Sequence, residues 1–196
     1  LSKGSDLAKR MPGCKYHASL AKDLLDSVLN HRRQSHQNVF LITAPKVWND
    51  MFLKGISLFA MARKTRERKY TNLAKKSLAS MKDWAEKGNP NVVHCKSLLE
   101  AELAALNGRK RVAKKHYEMA AMLAGRGGFV WDAALANERY GEFLLEDMSD
   151  REEAAYRFQA AIKLYLEWEA RAKAKLLFAK YGYLWSSLPP KKMYGL

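Results

Sequence analysis

The sequence predicts an all-α chain: a solenoid of antiparallel helix pairs with a capping helix at its C-terminal end. Three observations predict it. Apolar residues recur at helical spacing through residues 48–185, and the five prolines and eleven glycines fall mostly between those runs. A short pattern recurs in phase, with Ala113, Tyr117 and Ala120 answered 41 residues later by Ala154, Phe158 and Ala161. A weaker copy, Ala74, Leu78 and Met81, precedes the first by 39 residues. Finally, residues 170–185 hold more apolar surface than one helix face needs, which suits a cover for the open end of a stack.

Steps of four and then three put each trio on one helical face. Small residues there let a neighbouring helix come close, and the aromatic fills the space beside them. This is the pattern of the second helix in a tetratricopeptide-type pair, whose usual period is about 34 residues. The longer period implies longer helices or loops, so the expected fold is TPR-like. The chain's 196 residues allow about four or five such pairs.

No apolar run approaches the roughly 20 residues that a membrane span requires. No stretch has the charged, apolar and small-residue order of a signal peptide. Cys14 and Cys95 lie far apart without a Cys-x-x-Cys pair, which argues against a disulfide framework or a zinc module. An intracellular, cytoplasmic location is expected. The start at Leu1 suggests a fragment or a processed product.

Charge is unevenly spread. Residues 1–128 hold 25 Lys and Arg against 10 Asp and Glu, whereas residues 129–196 hold 10 of each. The whole excess of +15 therefore lies in the first two-thirds. It points to an acidic partner, whether protein, nucleic acid or an anionic membrane surface, or else to a solubilising surface.

Taken in order, residues 1–13 read as a polar tail and 14–47 as a helix (14–30) with a connector. Val39–Ile42 is a short apolar run before Pro45, which suits the first turn of the next helix. Helix 46–62 carries Trp48, Phe52, Ile56 and Phe59, with Gly55 explained by close contact with a neighbour. The basic run 63–69 reads as a turn or a phosphate-binding patch. Helix 70–87 shows Leu73, Ala74, Leu78, Met81 and Trp84, and stops at Gly88-Asn89-Pro90. Helices 91–106 and 109–124 are joined by Asn107-Gly108, the second with a stripe of Val112, Ala113, Tyr117, Ala120, Ala121 and Ala124. The glycines at 125, 127 and 128 read as a helix terminator, since no strand precedes them and no Gly-Lys-Ser/Thr follows. Helix 129–146 is followed by helix 150–168, which opens on the capping arrangement Asp150 to Glu153. A last helix runs from Ala170 to about Tyr181, and 186–196 is a tail.

The chemistry-bearing residues do not assemble into an active site. His94 and Cys95 are adjacent on a helix, with no further His or Cys at i+3 or i+4, and are expected to be buried structural residues. Glu100 and Glu102 diverge from one another at i,i+2. Asn137 is expected to hydrogen-bond a loop or a facing backbone. No residue is assigned to catalysis, a cofactor or a metal. The candidate partner-binding residues are Arg63, Lys64 and Arg66 of the basic run, Lys110, Lys114 and Lys115 of an exposed ridge, and Tyr183 and Trp185 of the apolar surplus.

Three segments carry a resemblance: Leu99-Glu-Ala-Glu-Leu-Ala-Ala-Leu-Asn-Gly-Arg109, Gly128-Phe-Val-Trp-Asp-Ala-Ala-Leu-Ala-Asn-Glu138 and Tyr165-Leu-Glu-Trp-Glu-Ala-Arg-Ala-Lys173. With Met81-Lys-Asp-Trp84 and Asn89-Pro90 upstream, they resemble the TPR-like helical region of very large multidomain signalling proteins. In that family a kinase-like domain and an AAA-type ATPase precede the region, and GAF, histidine-kinase or cyclase modules often follow it. The resemblance covers 48–185 and leaves 1–47 unmatched. Glu169 departs from it, standing where the family usually has Gly after Trp, so a different bend is expected there. The resemblance implies a helical scaffold and brings no catalytic residue to this chain. The expected function is a non-enzymatic scaffold for protein–protein interaction. The alternative is a helical-repeat binder of RNA or DNA that uses the basic residues of 1–128.

Overall fold

Helices end where the sequence places its breakers. The computed structural model describes residues 45–187, which form seven α-helices. These are α1 (Pro45–Thr65), α2 (Arg68–Glu86), α3 (Val93–Leu106), α4 (Lys110–Arg126), α5 (Val130–Phe143), α6 (Arg151–Glu167) and α7 (Arg171–Tyr181). A 3-10 turn (Pro90–Val92) leads into α3, a π turn (Leu144–Met148) extends α5, and a 3-10 stretch (Gly182–Ser187) follows α7. The fold is all-α, with neighbouring helices paired and no strand among the described residues. The expected tail over 1–13, the helix over 14–30, the run Val39–Ile42 and most of the tail over 186–196 lie outside the described residues.

The chain divides into two units, Leu1–Ser80 and Met81–Leu196. In the first, α1 buries Trp48, Phe52, Ile56, Phe59 and Ala62 along one stripe, with Gly55 also buried. The helix continues to Thr65, whose hydroxyl donates to Met61 O at 2.9 Å. Arg63 and Lys64 therefore lie on a helix, not in the turn that the basic run suggests. The turn is confined to Arg66, in the left-handed conformation at φ 60°, and Glu67.

In the second unit, α3 packs on α4, α4 on α5, α5 on α6 and α6 on α7. Four helix ends close the same way. The N–H groups of Asn89, Arg109, Phe129 and Ala170 donate to the carbonyls of Trp84, Ala104, Ala124 and Tyr165, at 2.8–3.0 Å. The residue before each donor is left-handed: Gly88 (φ 84°), Gly108 (70°), Gly128 (73°) and Glu169 (60°). Such a closure satisfies carbonyls that the helix end leaves free, and it favours glycine because that residue has no Cβ to clash. Glu169 adopts it nonetheless, so its backbone follows this chain's own glycine turns.

All nine residues of the three trios are buried, each at most 4% exposed. Tyr117 meets Tyr140 and Phe143, with ring centroids 5.5 and 5.1 Å away, and Phe158 stacks on Tyr181 at 3.8 Å. At Gly141 a Cβ would lie 2.8 Å from the Phe158 ring, so glycine lets α5 and α6 approach. Three expectations about burial are corrected. Leu73 and Val112 are exposed, and Ala121 is only half-buried. Each lies at the border of its stripe, where spacing alone does not separate inside from outside. On α7, Ala174, Leu177 and Tyr181 are buried, whereas Leu176 and Phe178 face outward.

Candidate interaction groove

Three helices of the second unit leave a groove between them. From α4 come Lys115, Glu118, Met119 and Met122, from α5 Asn137, and from α6 Tyr156, Arg157 and Ala160, around a volume of about 630 Å³. Small residues open it, since Ala121 and Ala160 leave room that larger side chains would fill. Asn137 does not reach a loop or a facing backbone. Its amide donates to Ala133 O at 2.8 Å, within its own helix.

Arg157 is held in the groove wall by two rings and a carboxylate. Its guanidinium lies over the Tyr140 ring at 4.5 Å and near the Tyr156 ring at 5.5 Å, and Nη2 donates to Glu153 at 3.3 Å. Its Nε–H is buried without an acceptor. Leaving a buried donor unmet costs about 1–3 kcal/mol, which the ring contacts and the Glu153 bond of the same guanidinium offset. Tyr140 Oη lies 3.0 Å from Glu118 and 2.9 Å from Glu153, and its single proton serves one carboxylate at a time. Burial alone would raise the Glu153 carboxyl. Lys114, Tyr140 and Arg157 outweigh it and hold the group below its ordinary value.

The ridge on α4 is only partly free. Lys114 bonds Glu153 at 2.6 Å, and that carboxylate raises its pKa; the Lys110 ammonium donates to Asp147 O. Both therefore tie α4 to later elements; Lys110 is exposed as expected, whereas Lys114 is half-buried. Lys115 remains exposed and borders the groove. Lys64 and Arg66 are exposed, and Arg63 is half-buried. Tyr183 is exposed with the Arg151 guanidinium 5.9 Å from its ring. Trp185 is engaged internally: its indole N–H donates to Ala155 O at 3.2 Å and its ring stacks on Phe178 at 5.1 Å.

Burial also assembles polar groups that the sequence leaves scattered. Glu102 diverges from Glu100, as its spacing requires, and takes a two-pronged hydrogen bond from Arg139 at 2.7 and 3.0 Å. Asp132, from the first turn of α5, comes within 2.8 Å of His94, and Cys95 Sγ lies 3.3 Å from the same His94 nitrogen. Burial, and then the Asp132 charge, push the Cys95 thiol well up, so it is a protonated thiol rather than a nucleophile. Local spacing gives no sign of this partner, because Asp132 lies 38 residues from His94. Its place in a first helical turn, like that of His94, is the signal that links them.

No helix among the described residues is long and apolar enough to cross a membrane. No family model matches this chain, and no curated protein or solved structure does either.

Proposed function

We propose that this chain is a non-enzymatic TPR-like scaffold that binds an acidic peptide segment of a protein partner in the groove between α4, α5 and α6. The observation that carries the reading is the Arg157 guanidinium in the groove wall, held over the Tyr140 ring at 4.5 Å and still partly exposed. Exposed Lys115 and Met122 border the same groove, giving a cation and a soft apolar surface to an extended segment. The segment's carbonyl or carboxylate oxygen meets Arg157, and its apolar side chains lie along Met119 and Met122. The resemblance supports the wider proposal that the chain belongs to, or is related to, a multidomain signalling protein. The nucleic-acid reading rests on the basic excess of 1–128 and is weakened on α4, where Lys110 and Lys114 are bonded within the fold.

Selection from a displayed library of random peptides tests the proposal. Enriched peptides should carry Asp or Glu and lose binding when Ala160→Arg fills the groove, with the helical circular-dichroism spectrum unchanged. Enriched peptides that bind the filled variant equally would refute the groove. If short RNA or DNA binds instead, with affinity that falls steeply as salt rises, the nucleic-acid reading replaces it.

A further inference from the structure

His94, Cys95 and Asp132 form a buried cluster whose three donor atoms all lie within 4.8 Å of one another. Two features separate it from more ordinary arrangements. In a catalytic relay the imidazole uses one nitrogen towards the nucleophile and the other towards the carboxylate. Here Cys95 Sγ and Asp132 Oδ2 both face Nε2, at 3.3 and 2.8 Å, so nothing can be relayed through the ring. A plain hydrogen bond to Asp132 occupies the single Nε2 proton, and the sulfur then adds no comparable bond. Three donors converging on one point are the arrangement of a ligand set.

We propose that His94 Nε2, Cys95 Sγ and Asp132 Oδ2 bind a zinc-class divalent cation. Bonds of about 2.0–2.1 Å to nitrogen, 2.3 Å to sulfur and 2.0–2.2 Å to oxygen put tetrahedral neighbours about 3.3–3.6 Å apart. From the observed 2.8 and 3.3 Å, nitrogen and oxygen must open by about 0.6 Å and nitrogen and sulfur by about 0.3 Å, while sulfur and oxygen, within 4.8 Å of one another, close onto the ion. One nitrogen, one thiolate and one carboxylate suit zinc and do not suit the all-oxygen preference of magnesium or calcium. Charge closes as well: a doubly positive ion with one thiolate and one carboxylate sums to zero, which a buried site demands. On binding, the Cys95 S–H bond breaks, a sulfur–metal bond forms and the proton leaves to solvent. His94 takes the tautomer with its proton on Nδ1. The Phe129 ring, stacked on His94 at 4.4 Å, covers the imidazole and limits how it can turn. The metal would join the first turns of α3 and α5, which are not consecutive helices.

Cobalt(II) tests the site, because its bond to thiolate gives a near-ultraviolet charge-transfer band where zinc gives none. The chelator-stripped chain should bind one equivalent with that band, and zinc should abolish it. Asp132→Asn should weaken binding at least about tenfold, and Cys95→Ser should remove the band. Cys14→Ser should keep it. Zinc should raise the thermal midpoint of the wild type and of Cys14→Ser alike. No band in the wild type, a band surviving Cys95→Ser, or a band lost in Cys14→Ser would each overturn the proposal. If Cys95→Ser does not fold, Cys14→Ser decides, since the chain's other cysteine is then the only thiol left.

Discussion

Glu169 occupies a backbone conformation that three glycines share at equivalent turns. A left-handed residue with a Cβ costs about 1–2 kcal/mol, and glycine escapes it at an entropic cost of about half that or more. Glu169→Gly should therefore raise stability by about 0.5–1 kcal/mol, read as a higher urea midpoint with an unchanged slope. A lowered midpoint would show that the glutamate side chain contributes something the backbone argument omits. Tyr165 makes a second residue-scale case. Its hydroxyl donates to Glu138 at 2.6 Å, and burial, then the Glu138 charge, raise its pKa well above the ordinary value. The unfolded chain ionises this group near pH 10, so its contribution is full below that pH and falls as pH rises beyond it. Tyr165→Phe should cost about 1–2 kcal/mol at neutral pH and make the alkaline loss of stability shallower. An alkaline limb as steep as in the wild type would count against this bond. None of these pairings is legible in the sequence, because Glu138, Glu102 and Asp132 look like surface residues until partners 27–38 residues away are brought in.

At the scale of elements, the sequence was most informative where one face faces a neighbour closely. The trios on α2, α4 and α6 are buried as their spacing requires, and the turn residues mark the helix ends to within a few positions. It was least informative at stripe borders and on α7. There Leu177 and Leu176 are adjacent and equally apolar, yet one is 3% exposed and the other 61%. The groove was not legible at all, since its residues come from three helices and none has a tell-tale spacing. α7 covers α6 through the Phe158–Tyr181 stack, and Lys173 reaches Glu138 at 2.7 Å. Truncation after Trp168 would bare Phe158 and leave Glu138 without this cation. Side chains of this size contribute roughly 1.5–3 kcal/mol each when buried. The truncated chain should melt at a markedly lower temperature and self-associate, as light scattering would show. A monomer with an unchanged melting temperature would make α7 a dispensable appendage.

At the scale of the molecule, helical stacks are commonly nearest-neighbour systems, each element sensing only the next. The second unit departs from that. Lys173, Lys180 and Tyr181 of α7 reach past α6 to Glu138 and Glu142 of α5, at 2.7–3.2 Å. Arg139 closes the set, bridging Glu102 of α3 and Glu142 of α5. Burial alone would raise the Glu142 carboxyl, but Arg139 and Lys180 outweigh it and keep the group charged. Fraying of the last helix therefore takes the lysine partners from two carboxylates, leaving Glu142 with Arg139 and Glu138 with the Tyr165 hydroxyl. The end and the centre of this unit should open together, so amide protons of α5 and α7 should exchange with deuterium at one common rate. Substituting Glu142 by Gln should let α7 exchange first and turn a single cooperative opening into two.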